Sequence, residues 1–407
     1  MTQVIDNRRY DIDWLRTLAF GLLILYHVGM YYVFEWGWHI KSVQQSVWLQ
    51  DMMILINPWR MSLLFFVSGM ALALFLRKGQ QQTSAWQVFA MRSKRLLVPL
   101  IFSMYVIVPP QLFYELQQQH GLSLGYWSFL QEYWNVDTSL APFKHSSIGL
   151  LTWNHLWFLP YLWCYSLLLL LLKPALEWVL QTKHCQQVSI GWGVTVIGLT
   201  TFIMWFLLRE SYPTSHDLLN DWYSHAKYFW VLVCGFCLAR MPQLWQKIVE
   251  QRRWFLCIAL LCYGFIILDR HEQLMFIAQY YQSSIWVKSF YGTIFISNHW
   301  AWILAVVGYA GHYLNFSNRF IVYANQAILP WYIFHQTLIV VIAMKLLPLH
   351  LPAFVEAPLL ILLTSLGCLV GYELVRRTSL SRWLFGLKIT VAKKHSIAHA
   401  NQDKVVS

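Results

Sequence analysis

Runs of about twenty apolar residues recur along the whole chain, and no other feature restricts the fold so strongly. Each run can cross a hydrocarbon core of about 30 Å. Lipid offers no hydrogen bonds, so backbone inside it must satisfy itself, and a single apolar run does so as an α-helix. The sequence predicts ten spans, over roughly 14–34, 59–76, 96–115, 154–172, 188–208, 222–239, 254–268, 289–311, 327–346 and 357–376. Only 12% of the 407 residues are charged, against about 25% in a soluble domain. The expected fold is all-α: a polytopic membrane protein of about ten transmembrane helices. One domain fills 1–386, and a polar cytoplasmic tail follows over 387–407. The first run is too long for a signal-peptide h-region and no small-residue cleavage site follows it, so it is expected to stay in the protein.

Charge orients this array. With the N-terminus in the cytoplasm, alternate loops place 22 of the 30 Lys and Arg inside and eight outside. Acids run the other way, seven inside and eleven outside. The positive-inside rule favours this orientation, with both termini cytoplasmic. The basic balance is therefore a topology signal, and no nucleic-acid partner is expected. The aromatic loop over about 116–153 is expected at the outer interface. The seven cysteines fall almost entirely within apolar spans; they read as packing residues, with neither disulfide nor metal expected.

Polar residues inside the spans carry the functional question. In "WLRTLAFGLLILYHVGMYY", Arg16 and His27 are eleven residues apart, three helical turns plus about 20°, so they share a face about 16 Å apart along the axis. Arg16 lies at the cytoplasmic end and His27 near mid-membrane. Asp13 is placed to pair with Arg16. His155, His299 and His335 also fall in or beside spans, while Pro160 and Pro330 each remove a helical hydrogen bond. Two readings stay open for each histidine: a bond to a neighbouring helix, or proton transfer in a wet cavity. In "NPWRMSLLFFVSG", Asn57 and Pro58 suit a helix start. That start would put Arg60 at the outer interface, with Ser68 and Gly69 near mid-membrane, where small residues suit close packing. "RSKR", holding Arg92, Lys94 and Arg95, reads either as an orientation and anionic-lipid signal or as an anion site.

Several stretches resemble the membrane acyltransferase-3 family. "DIDWLRTLAFGLLILYH" is similar to its first helix with the R-x10-H motif; "RMSLLFFVSG", "RLLVP", "NHLWFL" and "YIFHQ" resemble its later signatures, in order over about 8–386. "WGWHIKS" and "YELVRR" bring it nearest to the glucan biosynthesis protein C subgroup. The resemblance implies an integral membrane O-acyltransferase with no permanently bound cofactor. Such an enzyme moves an acetyl or succinyl group from cytoplasmic acyl-CoA, its co-substrate, to a hydroxyl of a glycan or similar acceptor at the outer face. It implies that His27 is the catalytic histidine, with Arg16 and Asp13 beside it in the motif. Arg60, Ser68, His155 and His335 lie on the later motifs, and His299 joins them as a cavity candidate. Arg16, Arg92, Lys94 and Arg95 are expected to hold the acyl-CoA phosphates, for which the arginine fork is suited. The alternative class is a proton-coupled secondary transporter using these histidines as carriers, although no inverted repeat is visible.

Reporter fusions at residues 85, 245 and 400 should read cytoplasmic, and fusions at 130 and 215 external. A reversed pattern at 85 and 130 would remove the cytoplasmic donor site.

Overall fold

Caps and prolines mark the helix limits that apolarity alone leaves vague. The computed structural model describes residues 8–78, 84–143 and 149–388, so the expected tail lies outside the described residues from 389 onward. α1 (Tyr10–Tyr32) opens with Asp11 and Asp13 in its first turn, where acids complement the helix dipole. Lys41 closes it, donating from Nζ to the carbonyls of Met30 (2.8 Å) and Val33 (2.6 Å). Burial pushes that amine down to about 8. α2 (Trp48–Lys78) begins well before the expected start at Asn57–Pro58. Pro58 therefore sits inside the helix, and the Asn57 side chain accepts from Tyr26 OH (3.0 Å) instead of capping. Arg60 is thus about 18 Å along α2 and buried rather than interfacial.

α3 (Ala85–Val106) starts with a reciprocal cap between Ser84 and Gln87. The chain then bends by 40° into α4 (Pro109–His120), because Pro109 and Pro110 cannot continue the bonding ladder. α5 (Tyr126–Trp134) folds back on α4 through Phe113, Phe129 and Tyr133, giving the aromatic loop a small core of its own. α6 (Phe158–Gln181), α7 (Lys183–Gln186), α8 (Ile190–Leu208) and α9 (Trp222–Leu238) follow. Pro160 is the third residue of α6, where its missing N–H had no intrahelical acceptor; contrary to expectation, it removes no hydrogen bond from that helix. α10 (Pro242–Glu250) and α11 (Arg252–Arg270) form a second bent pair, at 63°. α12 (Met275–Tyr280), α13 (Ile285–Tyr313), α14 (Arg319–Leu346), α15 (Ala353–Val375) and α16 (Ser379–Leu384) complete the chain.

The all-α class holds, but the count of ten spans is not reached. Among the described residues seven helices are long and apolar enough to cross a membrane, or up to nine if each bent pair is one span. The expected segment outside that count is the sixth, α9, whose 17 residues rise only about 26 Å.

The closest helix crossing is α2 on α9. A Cβ added at Gly69 would lie 2.0 Å from the Leu232 carbonyl oxygen, and one at Gly235 would lie 2.0 Å from that of Phe66. Small residues let membrane helices approach to backbone contact, and dispersion then holds them. At the end of the bundle where α1 finishes, Arg270 ties three segments together. It donates to Asp51 Oδ1 (2.6 Å) and bidentately to Glu35 (2.7 and 2.8 Å).

Gly69→Val should lower the thermal stability of the detergent-solubilised protein by about 1–3 kcal/mol or more, the cost of overpacking. Gly21→Val is the control, since nothing lies within 4 Å of a Cβ there. Equal melting of the two variants would contradict the backbone contact.

Candidate active site

Helix crossing brings three of the four candidate histidines together. His27 of α1 and His335 of α14 stack with ring centroids 5.1 Å apart, and His155 meets His335 edge-on at 5.2 Å. Their hydrogen bonds assign the protons. His335 Nδ1 faces the carbonyl oxygens of Tyr332 (2.7 Å) and Trp331 (3.2 Å). Carbonyls only accept, so Nδ1 carries hydrogen and the neutral ring accepts at Nε2. His27 Nδ1 lies 2.9 Å from that Nε2 and must be the donor. The remaining nitrogen of His27, Nε2, therefore holds a free lone pair. Sequence spacing places His27 at mid-depth; the second ring makes it a base with a defined tautomer.

His155 is built differently. Its Nε2–H donates to the carbonyls of Tyr332 (3.1 Å) and Ile333 (3.2 Å), and its Nδ1 accepts from Gln111 Nε2 (3.3 Å). Both nitrogens are engaged, so His155 positions α14 and has no lone pair to offer. His299 stands apart from this group, donating from Nδ1 to the Pro58 carbonyl (2.8 Å). Ser68 lies about 12 Å further along α2 than Arg60, next to the Gly69 crossing.

Several residues at the site carry no motif of their own. Trp38 stacks on His27. His39 Nδ1–H donates to Glu115, and its Nε2 accepts from Gln336 Nε2 (2.8 Å). Gln111 accepts at Oε1 from Asn154 (3.1 Å) and Gln336 (3.0 Å), and donates to Thr337 Oγ1 (2.6 Å). Gln111 and Glu115 are four apart on α4, hence on one face. Their only sequence signal is the preceding Pro-Pro that turns α4 toward α14. His39 lies in the quoted "WGWHIKS" stretch, but spacing gave no reason to choose it.

At the other end of α1, Arg16, Arg92 and Arg95 lie close enough for their charges to interact. Lys94, exposed like Arg95, is not among the charges that act on Arg16 or Arg92. Asp13 does not pair with Arg16. It accepts from Arg8 (2.7 Å) and from Asn325 (2.7 Å), since side chains on a helix slope toward its N-terminus. Among the described residues Arg16, Arg92 and Arg95 form no ion pair. An apolar cavity of about 1000 Å³ runs beside α1, between α13 and α14, and reaches Tyr332 and His335. Among the described residues no three His, Cys, Asp or Glu side chains gather as a metal site.

The model of the Acyl_transf_3 family, described as an acyltransferase domain, matches residues 9–373. Similar curated proteins are named glucans biosynthesis protein C. That of Escherichia coli O157:H7 (strain EC4115 / EHEC) is 24% identical over 98% of this chain and 100% of its own length. That of E. coli strain SMS-3-5 / SECEC is 30% identical, over 39% of this chain and 37% of its own length. The E. coli K12 protein is 29% identical over the same shares. No solved structure matches.

Gln111 is fully buried, and four polar groups depend on it. Leaving a buried group unpaired costs about 1–3 kcal/mol. Gln111→Leu should therefore lower the unfolding temperature markedly in a detergent melt, and an unchanged melt would show the network to be dispensable.

Proposed function

This chain belongs to the acyltransferase-3 family, and from that membership we propose that it moves an acyl group, acetyl or succinyl, from acyl-CoA to a hydroxyl of a glycan or similar acceptor. It is a multi-pass membrane acyltransferase. The finer reading places it in a bacterial inner membrane with both termini cytoplasmic, drawing acyl-CoA from the cytoplasm and meeting its acceptor at the outer face.

One observation carries the reading: the relay from the Tyr332 carbonyl through His335 to His27 leaves the His27 Nε2 lone pair free. A neutral imidazole held in one tautomer is what a general base requires. His27 Nε2 takes the proton of the acceptor hydroxyl as its oxygen attacks the thioester carbon. The new C–O bond forms, the C–S bond breaks, and the proton passes from His27 to the departing thiolate. A transient acyl group on His27 is the two-step form of the same chemistry. His335 holds the ring and shares the positive charge that develops on it.

Arg16, Arg92 and Arg95 support the donor end. Three clustered guanidiniums with no ion pair among the described residues favour a polyanion, and arginine binds phosphate bidentately. Arg16 and His27 are about 16 Å apart along α1, a span suited to an extended pantetheine arm reaching from bound phosphates to the base. Lys94, whose charge reaches neither Arg16 nor Arg92, is the weakest member of the expected set.

Transfer of label from acyl-CoA to a glycan tests the assignment. General-base catalysis is worth about 10²–10⁴ in rate. His27→Ala and His27→Gln should each lose at least about a hundredfold while inserting normally, because glutamine keeps hydrogen bonding but takes no proton at neutral pH. His335→Gln should lower kcat by about tenfold and leave the KM for donor unchanged. Near-normal transfer by His27→Gln would sink the catalytic role.

A further inference from the structure

Arg60 and Lys227 are cations inside the helical bundle with no acid paired to either among the described residues. Arg60 is 8% exposed, and its Nε and Nη1 have no hydrogen-bond partner. Its guanidinium lies 3.3 Å above the Tyr26 ring. Lys227, on α9, lies 4.3 Å from the centroid of Tyr228 and 5.3 Å from that of Tyr223. The acid whose charge reaches it, Asp221, is already engaged by Tyr161 OH (2.8 Å) and by the backbone N–H of His216 (3.2 Å).

The two cations share neighbours, Tyr228 and His216. Arg60 interacts with Tyr228, Lys227 interacts with His299, and both interact with His216. His216 sits on the α8–α9 connection, stacked on Trp157 at 4.1 Å. Burial lowers its pKa to about 4, so it adds no charge near neutrality. On α13, His299 has Nε2 unpartnered, and both polar atoms of the Asn298 amide are buried and unpartnered. The interior where α2, α9 and α13 meet thus holds two positive charges and several idle hydrogen-bonding atoms.

Such an arrangement is costly when nothing occupies it. A buried charge without its counter-charge destabilises a protein strongly, and ionisable groups at membrane depth mark ligand sites. Two cations, one of them a guanidinium with free N–H groups, select an oxyanion. Position adds to this. Arg60 lies against Tyr26, the chain neighbour of His27, and its charge acts on both His27 and His335. The arginine cluster proposed for the donor phosphates lies at the opposite end of α1.

We propose that Arg60 and Lys227 form a substrate subsite that binds a carboxylate or phosphate group carried by one of the two substrates while the reacting atoms sit at His27. It rests on the acyl-transfer reading for what the anion is attached to. The oxyanion can be borne by the far end of the acyl group or by the acceptor, and the two sources are separable.

The full-length protein in phosphatidylcholine nanodiscs is titrated with single ligands, and affinity is read from thermal shift. One arm compares butanoyl-CoA with succinyl-CoA, which has the same chain length and a terminal carboxylate. The other compares a neutral glucan oligosaccharide with the same oligosaccharide bearing one phosphate monoester. In one arm the charged ligand should bind at least tenfold more tightly. Lys227→Met and Arg60→Gln should each bring that ratio toward one, and Lys227→Arg should preserve it. Equal affinities in both arms, or a preference that survives both Lys227→Met and Arg60→Gln, overturn the proposal. Label transfer is measured separately. Charge-selective binding with no acyl transfer would sink the reading and leave the subsite standing; transfer with no charge selectivity would do the reverse.

Discussion

Hydrocarbon supplies no hydrogen bonds, and the rest of this structure follows from that constraint. Each backbone group must close on itself, which makes the described chain helical. Each polar side chain must find a partner, which makes the interior a record of what is structural and what is waiting for a ligand. His155 shows the structural case, since both of its nitrogens and the Gln111 amide beside it are engaged. His27 shows the other, with one nitrogen bonded to His335 and the other open. The same residue type at similar depth does different work because its neighbours leave it different lone pairs.

Electrostatics divides the molecule in the same way. Asp13, Asp51 and Asp221 are each held by arginines, amides or hydroxyls. The cations at Arg16, Arg92 and Arg95, and those at Arg60 and Lys227, form no ion pair among the described residues. Positive charge thus flanks the open histidine along the path that substrates would take.

How much of this is legible in the sequence depends on the range of the interaction. Apolar runs locate the helices, and eleven residues of helix put Arg16 and His27 on one face; both are local facts. His335 follows from its mid-span place, but its contact with His27 needs the crossing of α1 and α14. Local reasoning misled where a tertiary partner won. Asn57 and Pro58 look like a helix start, yet α2 begins at Trp48 and Asn57 serves Tyr26. Asp13 looks like the partner of Arg16, yet Arg8 and Asn325 take it. Gln111 and Glu115 have no local signature, because their roles exist only once Pro109 and Pro110 have turned α4 across α14. The neighbours that Arg60 and Lys227 share, Tyr228 and His216, join residues far apart in sequence and are invisible there for the same reason.

The touching backbones of α2 and α9 have a consequence for recognition. Gly69 against Leu232 and Gly235 against Phe66 leave no room for either helix to slide or tilt without collision. Arg60 and Lys227 ride on these two helices, so the gap between their Cα positions is set by main chain rather than by side-chain choice. Any adjustment to a smaller or larger guest must therefore come from the two side chains and not from the helices that carry them.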